Sequence, residues 1–352
     1  MRTSSKGFAM NVTNYQMGRR GFLVMASRAA GGAAMLGLAG ACSGGSDGSG
    51  GGGKDVYQGE VAVAHLKAIV GAAPFHIAAA LGYYKEANLE LEPVSFPGGT
   101  ETIRGMATGM DFGMPATLPG LIAVQKGQKD LRLIAGAFNK PAVVFLVPAD
   151  SKIREISDLA NKKIAVSQPG SITTYFANRI TKEQGLEPGK NVQILNVGGP
   201  PDAWTAAKQG VADVAWSNPP LSDKLVADGE ARILFETSDF VDHWPDVSYW
   251  TTQSFIDESG DVLKRWLKAQ EQAMETIKSD VDKAAEIYAK AVELDQEVAK
   301  TSLQNAAEAF DLSIDMAGVE ENLKAGGEMG QLDPNDFDLD KIVSADFASV
   351  KG

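Results

Sequence analysis

The chain has 352 residues, of which 44% are hydrophobic and 22% are charged; these values match average soluble globular proteins and exclude a collagen-like, coiled-coil or wholly disordered chain. The length predicts about two domains, and the absence of an apolar run of about 18 residues excludes a polytopic membrane protein. The single cysteine excludes a zinc site built on several thiolates, and the three histidines lack the H-E-x-x-H spacing of zinc hydrolases. A formal net charge of −12 at pH 7 excludes nucleic acid and anionic lipid as partners.

Residues 1–42 are predicted to be an export signal. Their charged side chains are all basic, and a weakly apolar stretch follows over residues 29–41. The segment Gly18-Arg19-Arg20-Gly21-Phe22-Leu23 resembles a twin-arginine signal, with the general export route as the alternative. Cys42 follows small residues, as in the lipobox of bacterial lipoproteins, so we expect it to be acylated. Cleavage by an ordinary signal peptidase, leaving a free thiol, is the alternative.

Residues 43–56 are predicted to be a tether. They consist mainly of glycine and serine, and a chain of this composition is flexible. With Cys42 acylated, the tether would hold the folded part of the protein outside the cell membrane or in the periplasm. The lipid would then be the only contact with the membrane.

Strands and helices are predicted to alternate after the tether. The pattern indicates a strand over residues 61–64, a helix over 74–84, a strand over 89–95, a helix ending at Thr108 and a strand starting at Met110. This alternation is typical of a parallel sheet with right-handed crossovers.

The same pattern recurs in the second half of the chain. A strand is predicted over residues 164–166, a helix opened by 170–174, a strand over 192–197 and a helix ending at Gln209. The two copies match at Gly98-Gly99 with Gly198-Gly199, Ala107 with Ala207, Gly109 with Gly210, and Asp111 with Asp213. The repeat predicts two similar lobes, with chance similarity between β-α-β units as the alternative.

We therefore predict an α/β fold of two lobes, each a mostly parallel sheet flanked by helices. Residues 57–143 and 250–352 are expected to form the first lobe, and residues 144–249 the second lobe with the hinge segments. The extended run 141–148 and residues 249–252 are the predicted crossings between the lobes. The helical residues that follow the return crossing are predicted to pack on the first lobe.

A ligand cleft is predicted between the lobes, because ligands of open α/β sheets bind beyond the carboxyl ends of the strands. Loops that open helices there offer unpaired backbone N–H groups and hydroxyls, which suit an anionic group. Serine and threonine at such positions also serve as N-caps of their own helix, and buried aromatic residues are often core. The candidate ligand-binding residues are His65, Lys67, Phe75, Gly99, Thr100, Ala116, Thr117, Gly170, Ser171, Thr173, Thr174, Trp216, Asn218 and Trp250.

The order of several short motifs resembles a known family. The motifs are Leu81-Gly82-Tyr83-Tyr84-Lys85-Glu86-Ala87-Asn88-Leu89, Gly109 with Asp111, Gly170-Ser171, and Gly210 with Asp213. Over about residues 57–335 the chain is similar to the nitrate/sulfonate/taurine family of ABC-importer solute-binding proteins, which includes the NMT1/THI5-like proteins. The resemblance implies a type 2 periplasmic-binding-protein fold, a ligand held between the lobes and its delivery to an ABC permease. Members bind inorganic anions, sulfonates, pyrimidines and other small organic molecules, so the resemblance does not identify the ligand.

Two functions remain open at this point. The first is a monomeric, non-catalytic binding protein for a small anionic or polar organic solute of the sulfonate, taurine or nitrate class. The alternative is binding of a pyrimidine or thiamine precursor, or the pyrimidine-synthase branch of the superfamily, which uses pyridoxal phosphate bound by a lysine together with a histidine. Lys67 and His65 are the nearest candidates for these roles. The export signal favours the binding protein because that branch is cytosolic, so we expect no catalysis, no metal and no cofactor.

Overall fold

The computed structural model of the protein describes residues 55–351. The predicted export signal, Cys42 and residues 43–54 of the predicted tether lie outside this range and stay predictions. Within it, no helix has the length and apolar character needed to cross a membrane.

Strands and helices alternate along these residues. The strands are β1 (Tyr57–Ala64), β2 (Leu89–Phe96), β3 (Phe112–Met114), β4 (Leu131–Phe138), β5 (Val144–Pro148), β6 (Lys162–Val166), β7 (Val192–Asn196), β8 (Val214–Ser217), β9 (Ala231–Glu236), β10 (Val247–Thr252), β11 (Ile314–Asp315) and β12 (Val350–Lys351). The helices are α1 (Ala73–Leu81), α2 (Tyr83–Glu86), α3 (Gly99–Met106), α4 (Thr117–Gln125), α5 (Ile172–Glu183), α6 (Pro200–Lys208), α7 (Leu221–Ala227), α8 (Gln253–Ser279), α9 (Val281–Val292), α10 (Gln296–Ala306), α11 (Met316–Glu328) and α12 (Leu339–Ile342).

Two five-stranded sheets of the same topology organise the chain. The first sheet has the order β2-β1-β3-β10-β4, and the second has the order β7-β6-β8-β5-β9. In each sheet four strands run parallel to one another, and one strand runs antiparallel to them: β10 in the first sheet and β5 in the second. The predicted α/β fold with two mostly parallel, helix-flanked sheets is confirmed.

The antiparallel strand of each sheet is the strand that arrives from the other sheet. The chain leaves the first sheet after β4 and enters the second as β5, and it leaves the second after β9 and re-enters the first as β10. Residues 249–252, predicted as the return crossing, are therefore part of β10. Trp250 lies inside this strand and is fully buried. The chain re-enters the first sheet at Val247, where β10 begins.

The helix predicted over residues 74–84 is divided in two. Gly82 has a φ of 80° and ends α1, because glycine adopts the left-handed conformation without a steric penalty. The short helix α2 then turns the chain into β2. The prediction of one continuous helix was wrong at this glycine.

The core of the first sheet contains the long helix α8. Trp266 of this helix is fully buried, and its ring centroid lies 4.3 Å from that of Phe112 on β3 and 4.9 Å from that of Tyr249 on β10. Aromatic pairs at these distances add to the free energy gained by burial. Residues of α8, α9 and α10 thus pack into the core of the first sheet.

The packing of Gly120 on α4 against Trp250 on β10 allows a stability test. A Cβ at residue 120 would lie 2.5 Å from the buried indole of Trp250. We expect Gly120→Ala to lower the free energy of unfolding by about 1–3 kcal/mol, because the helix or the ring must shift within a packed core. Urea unfolding measures the change.

The matched control is Gly260→Ala in α8. A Cβ there would meet Phe347 at 3.8 Å, which is an ordinary contact. We expect this variant to change the free energy of unfolding by less than about 1 kcal/mol. Equal losses in the two variants would contradict the proposed clash at Gly120.

Candidate functional site

A cleft of about 570 Å³ lies between the two sheets. Its walls are the loops that follow the carboxyl ends of β1, β2 and β3 in the first sheet and of β6, β7 and β8 in the second. Val143 and Asp246 of the two crossings and Gln331 after α11 complete the lining. The cleft therefore lies where two parallel sheets of this topology are expected to bind a ligand.

Most of the predicted site residues line this cleft. They belong to loops of both sheets: His65, Gly99, Thr100, Ala116, Gly170, Ser171, Thr173, Trp216 and Asn218. The duplicated sequence pattern thus converges on one place, because each copy ends its strands at the same edge of its sheet.

Phe75, Thr117 and Trp250 lie in the protein interior instead. Phe75 and Trp250 are almost fully buried among apolar neighbours of the first sheet. Thr117 is fully buried, and its hydroxyl forms a hydrogen bond of 2.6 Å with the hydroxyl of Ser248. These side chains are therefore core residues and do not line the cleft.

Hydroxyl groups at the start of α5 form hydrogen bonds with one another and with the backbone of the same segment. Ser171 is the N-cap, and its Oγ accepts a hydrogen bond of 3.3 Å from the Thr174 N–H. The Thr173 hydroxyl bonds with the hydroxyls of Ser167 and Ser171 at 2.9 and 2.8 Å. The Thr174 hydroxyl donates to the Gln168 carbonyl at 2.8 Å and is not part of the cleft lining. The cap alternative for residues 170–174 therefore holds, while Ser171 and Thr173 also face the cleft.

The starts of α3 and α6 each contain a carboxylate. Asp202, in the first turn of α6, accepts a hydrogen bond of 3.3 Å from the Gly199 N–H. Glu101, in the first turn of α3, lies beside Gly98, where a Cβ would be 2.9 Å from its Oε2. A carboxylate at a helix start offsets the positive end of the helix dipole. Both helix starts are thus weaker anion sites than the sequence suggests.

The end of β8 supplies a flat apolar wall and an amide. Trp216 donates from Nε1 to the Gly198 carbonyl at 3.0 Å, which fixes the ring beside the loop after β7. Asn218, with its amide oriented to satisfy two carbonyls, donates to Ser217 at 2.9 Å and to Ala142 at 3.1 Å. Both side chains are held by backbone groups, so the wall is preorganised.

Asp246 is a cleft residue that sequence reasoning missed. It lies in the second crossing, where its N–H donates to the Phe138 carbonyl at 2.8 Å and its carbonyl accepts from the Thr117 N–H at 3.1 Å. Its Oδ1 is buried and has no hydrogen-bond partner among the described residues. Burial raises the pKa of the Asp246 carboxyl to about 7, and the Trp244 indole lowers it in part. The crossing has no periodic pattern that would have revealed this position.

The cleft contains carboxyl groups but no permanent cation. Across residues 55–351 no lysine or arginine lines it, whereas Glu101 and Asp246 do. Burial lowers the pKa of His65 and the charge of Glu101 opposes this only in part, so the imidazole is neutral at pH 7. Lys67, predicted to line the cleft, lies at the surface, where its ammonium is 3.2 Å from a carboxylate oxygen of Glu293. The same range holds no group of three or more side chains suited to a metal ion.

Side-chain contacts join elements of the two sheets around the cleft. The pairs are Arg179 of α5 with Glu321 of α11, Ser302 of α10 with Asp223 of α7, and Gln331 with the Gly170 carbonyl. Burial raises the pKa of Asp223, although the hydrogen bond donated by Ser302 opposes this shift. Polar contacts therefore connect elements of the two halves.

The cap at Ser171 leads to a test that separates stability from binding. We expect Ser171→Ala to lower the free energy of unfolding by about 1 kcal/mol, because the Thr174 N–H loses its acceptor. Ser171→Gly is expected to lower it by only a few tenths of a kcal/mol, since glycine is a tolerated N-cap. Thermal unfolding without added solute measures both variants, and unchanged stability in Ser171→Ala would contradict the cap.

The fold is similar to that of several solved structures. The alkanesulfonate-binding protein SsuA from Xanthomonas axonopodis pv. citri bound to MOPS gives a TM-score of 0.67 at 19% identity, over 85% of this chain and 100% of that chain. The periplasmic aliphatic sulphonate binding protein SsuA from Escherichia coli gives 0.69 at 19% identity, over 84% and 94%. The periplasmic nitrate-binding protein NrtA from Synechocystis PCC 6803 gives 0.67 at 15% identity, over 84% and 87%. At these identities the likeness shows a shared fold, which is the predicted type 2 periplasmic-binding-protein fold.

A sequence family also matches the chain. No curated protein matches it. The model of the family described as "NMT1/THI5 like" matches residues 70–284, which is more than half of the chain and includes both crossings between the sheets. The chain therefore belongs to the NMT1/THI5-like family.

Proposed function

We propose that this protein is the extracytoplasmic solute-binding component of an ABC importer and that it captures a small anionic or polar organic solute without catalysing a reaction. The observation that supports this most directly is the cleft of about 570 Å³ with walls from both sheets. Clefts of this size suit small organic ligands. Two crossings connect the sheets, so closure about them would bury a solute between the walls.

The names of the structural neighbours support this class of function. They are named as proteins that bind alkanesulfonate, aliphatic sulphonate and nitrate, and two of them are named as periplasmic. A periplasmic or membrane-tethered location agrees with the export signal predicted in residues 1–42 and with acylation of Cys42. The protein would then present its solute to a permease in the membrane as a monomer.

The proposed contacts with the solute come from the predicted residues that line the cleft. Trp216 offers a flat apolar surface, and the neutral imidazole of His65 offers one donor and one acceptor. Thr100 and Ser171 add hydroxyls, and Asn218 adds an amide. Gly99, Ala116, Gly170 and Thr173 are the remaining proposed contacts.

A pyridoxal phosphate enzyme fits the described residues less well. That cofactor is bound covalently through a lysine, and no lysine within residues 55–351 lines the cleft. Lys67, the nearest candidate in the sequence, pairs with Glu293 at the surface. The donor set of the cleft therefore suits reversible binding, of a sulfonate-like solute or of a pyrimidine or thiamine precursor, better than this chemistry.

A thermal-shift panel tests the binding function. The panel contains taurine, alkanesulfonates, nitrate, aromatic acids and pyrimidines, each added to the purified exported chain. A solute present at 100 times its Kd is expected to raise the free energy of unfolding by about 2.7 kcal/mol, because it binds only the folded state. A panel without any stabilising member would contradict the proposal.

A cleft-filling variant shows where the solute binds. We expect Ala116→Phe to abolish the stabilisation, because the ring extends into the cleft from the start of α4. Ala79→Phe, on the exposed side of α1, makes the same change in volume away from the cleft and is expected to keep it. Equal solute stabilisation in Ala116→Phe and in the unmodified protein would place the solute elsewhere.

A further inference from the structure

Among the described residues, Asp246 has a buried acceptor atom without a hydrogen-bond partner, in contrast to several other polar side chains of the cleft. Ser171, Thr173 and Trp216 each have a hydrogen-bond partner within the chain, whereas Oδ1 of Asp246 is buried without one among residues 55–351. Other buried atoms that lack a partner, such as Nε1 of Trp250, belong to residues outside the cleft lining. A buried acceptor without a donor is unfavourable, so a solute that supplies a donor gains the free energy of that hydrogen bond.

The backbone holds Asp246 in this position. Its N–H and carbonyl are bonded to Phe138 and Thr117, which lie at the end of β4 and the start of α4. The residue therefore keeps its place in the crossing between the sheets, at the base of the ligand space. A carboxyl fixed in this way acts as a preorganised acceptor.

The charges around the cleft disfavour a solute that is only an anion. Glu101 is the other carboxylate of the lining, and no lysine or arginine within the described residues lines it. His65 is neutral at pH 7. The neighbouring Asp242 and His243 of the same crossing are exposed and lie outside the lining. Within residues 55–351, Asp246 thus faces no cation, and a like charge nearby would be repelled.

We propose that Asp246 recognises a nitrogen of the solute, so that the solute contains an ammonium or amino group whose N–H donates to this carboxylate. This inference rests on the proposed binding function and narrows it to nitrogen-bearing polar organic solutes. The second polar end of such a solute would lie toward the loop at Gly170 and Ser171, where no carboxylate lines the cleft. Asp246 is then the residue that separates aminated solutes from their amine-free analogues.

Matched probes test this recognition. Taurine, isethionate and ethanesulfonate have the same two-carbon sulfonate and differ only in an ammonium, a hydroxyl or a hydrogen on the second carbon, and 4-aminopyrimidine and pyrimidine form a second pair. We expect the aminated member of a pair to bind at least about tenfold more tightly by calorimetry, as hydrogen bonds to charged groups commonly provide. Asp246→Asn is expected to remove that preference, and Asp242→Asn, four residues earlier and exposed, is expected to keep it.

The pH dependence of binding gives a test that needs no variant. Burial raises the pKa of the Asp246 carboxyl to about 7, so its ionised fraction increases between about pH 6 and pH 8. Affinity for an ammonium-bearing probe is therefore expected to increase severalfold over this range, because the carboxylate forms while an alkylammonium stays protonated. An anion-only probe is expected to show the opposite slope.

The outcomes separate this inference from the binding function beneath it. Equal affinity for aminated and amine-free probes, or an unchanged preference in Asp246→Asn, would overturn the role of Asp246 and leave a solute-binding protein in place. Affinity for taurine that decreases as the pH rises through 7 would overturn it as well. Binding of none of the probes would contradict the proposed function itself.

Discussion

The structure depends on one topological constraint: each sheet incorporates, antiparallel, the strand that arrives from the other sheet. This arrangement uses β5 and β10 as the last steps of the two crossings. It leaves the parallel strands of both sheets with their carboxyl ends toward one shared cleft. Because parallel strands place the following loops and helix starts at the same edge, the residues around the cleft come from many parts of the chain.

The polar groups at that edge are mostly satisfied before any solute arrives. Ser171 caps α5, Asp202 bonds the N–H before α6, and Trp216 donates to the loop after β7. A solute that competes with these bonds gains little, since it only exchanges one partner for another. A buried atom without a partner therefore contributes most to selectivity, and among the described residues Oδ1 of Asp246 is such an atom. With the role proposed for Asp246, a cleft without a permanent cation in its described lining would still discriminate between polar molecules.

The sequence allowed prediction of those features that depend on local patterns. The repeated glycine motifs at residues 98–99 and 198–199 indicated two similar sheets, and they lie at equivalent edges of the cleft. Features that depend on long-range packing were not predictable in this way. Trp250 was predicted to line the cleft, but its ring packs against Gly120 of α4. Lys67 is close in sequence to residues of the cleft, but its ammonium pairs with Glu293. The sequence did not indicate Asp246 as a cleft residue, because three segments that are far apart along the chain enclose it at the crossing.

The contacts between the two halves determine how a solute can act on the whole molecule. Arg179 with Glu321 and Ser302 with Asp223 connect the sheets without involving the ligand space. Such pairs form without a solute, so they contribute equally, with or without one, to the balance between arrangements of the two sheets. A solute shifts that balance only through contacts that require both walls at once, because equal affinity for the two forms shifts nothing. A molecule that spans from Asp246 to the loop at Gly170, as proposed above, would make contacts of that kind and would couple recognition to closure.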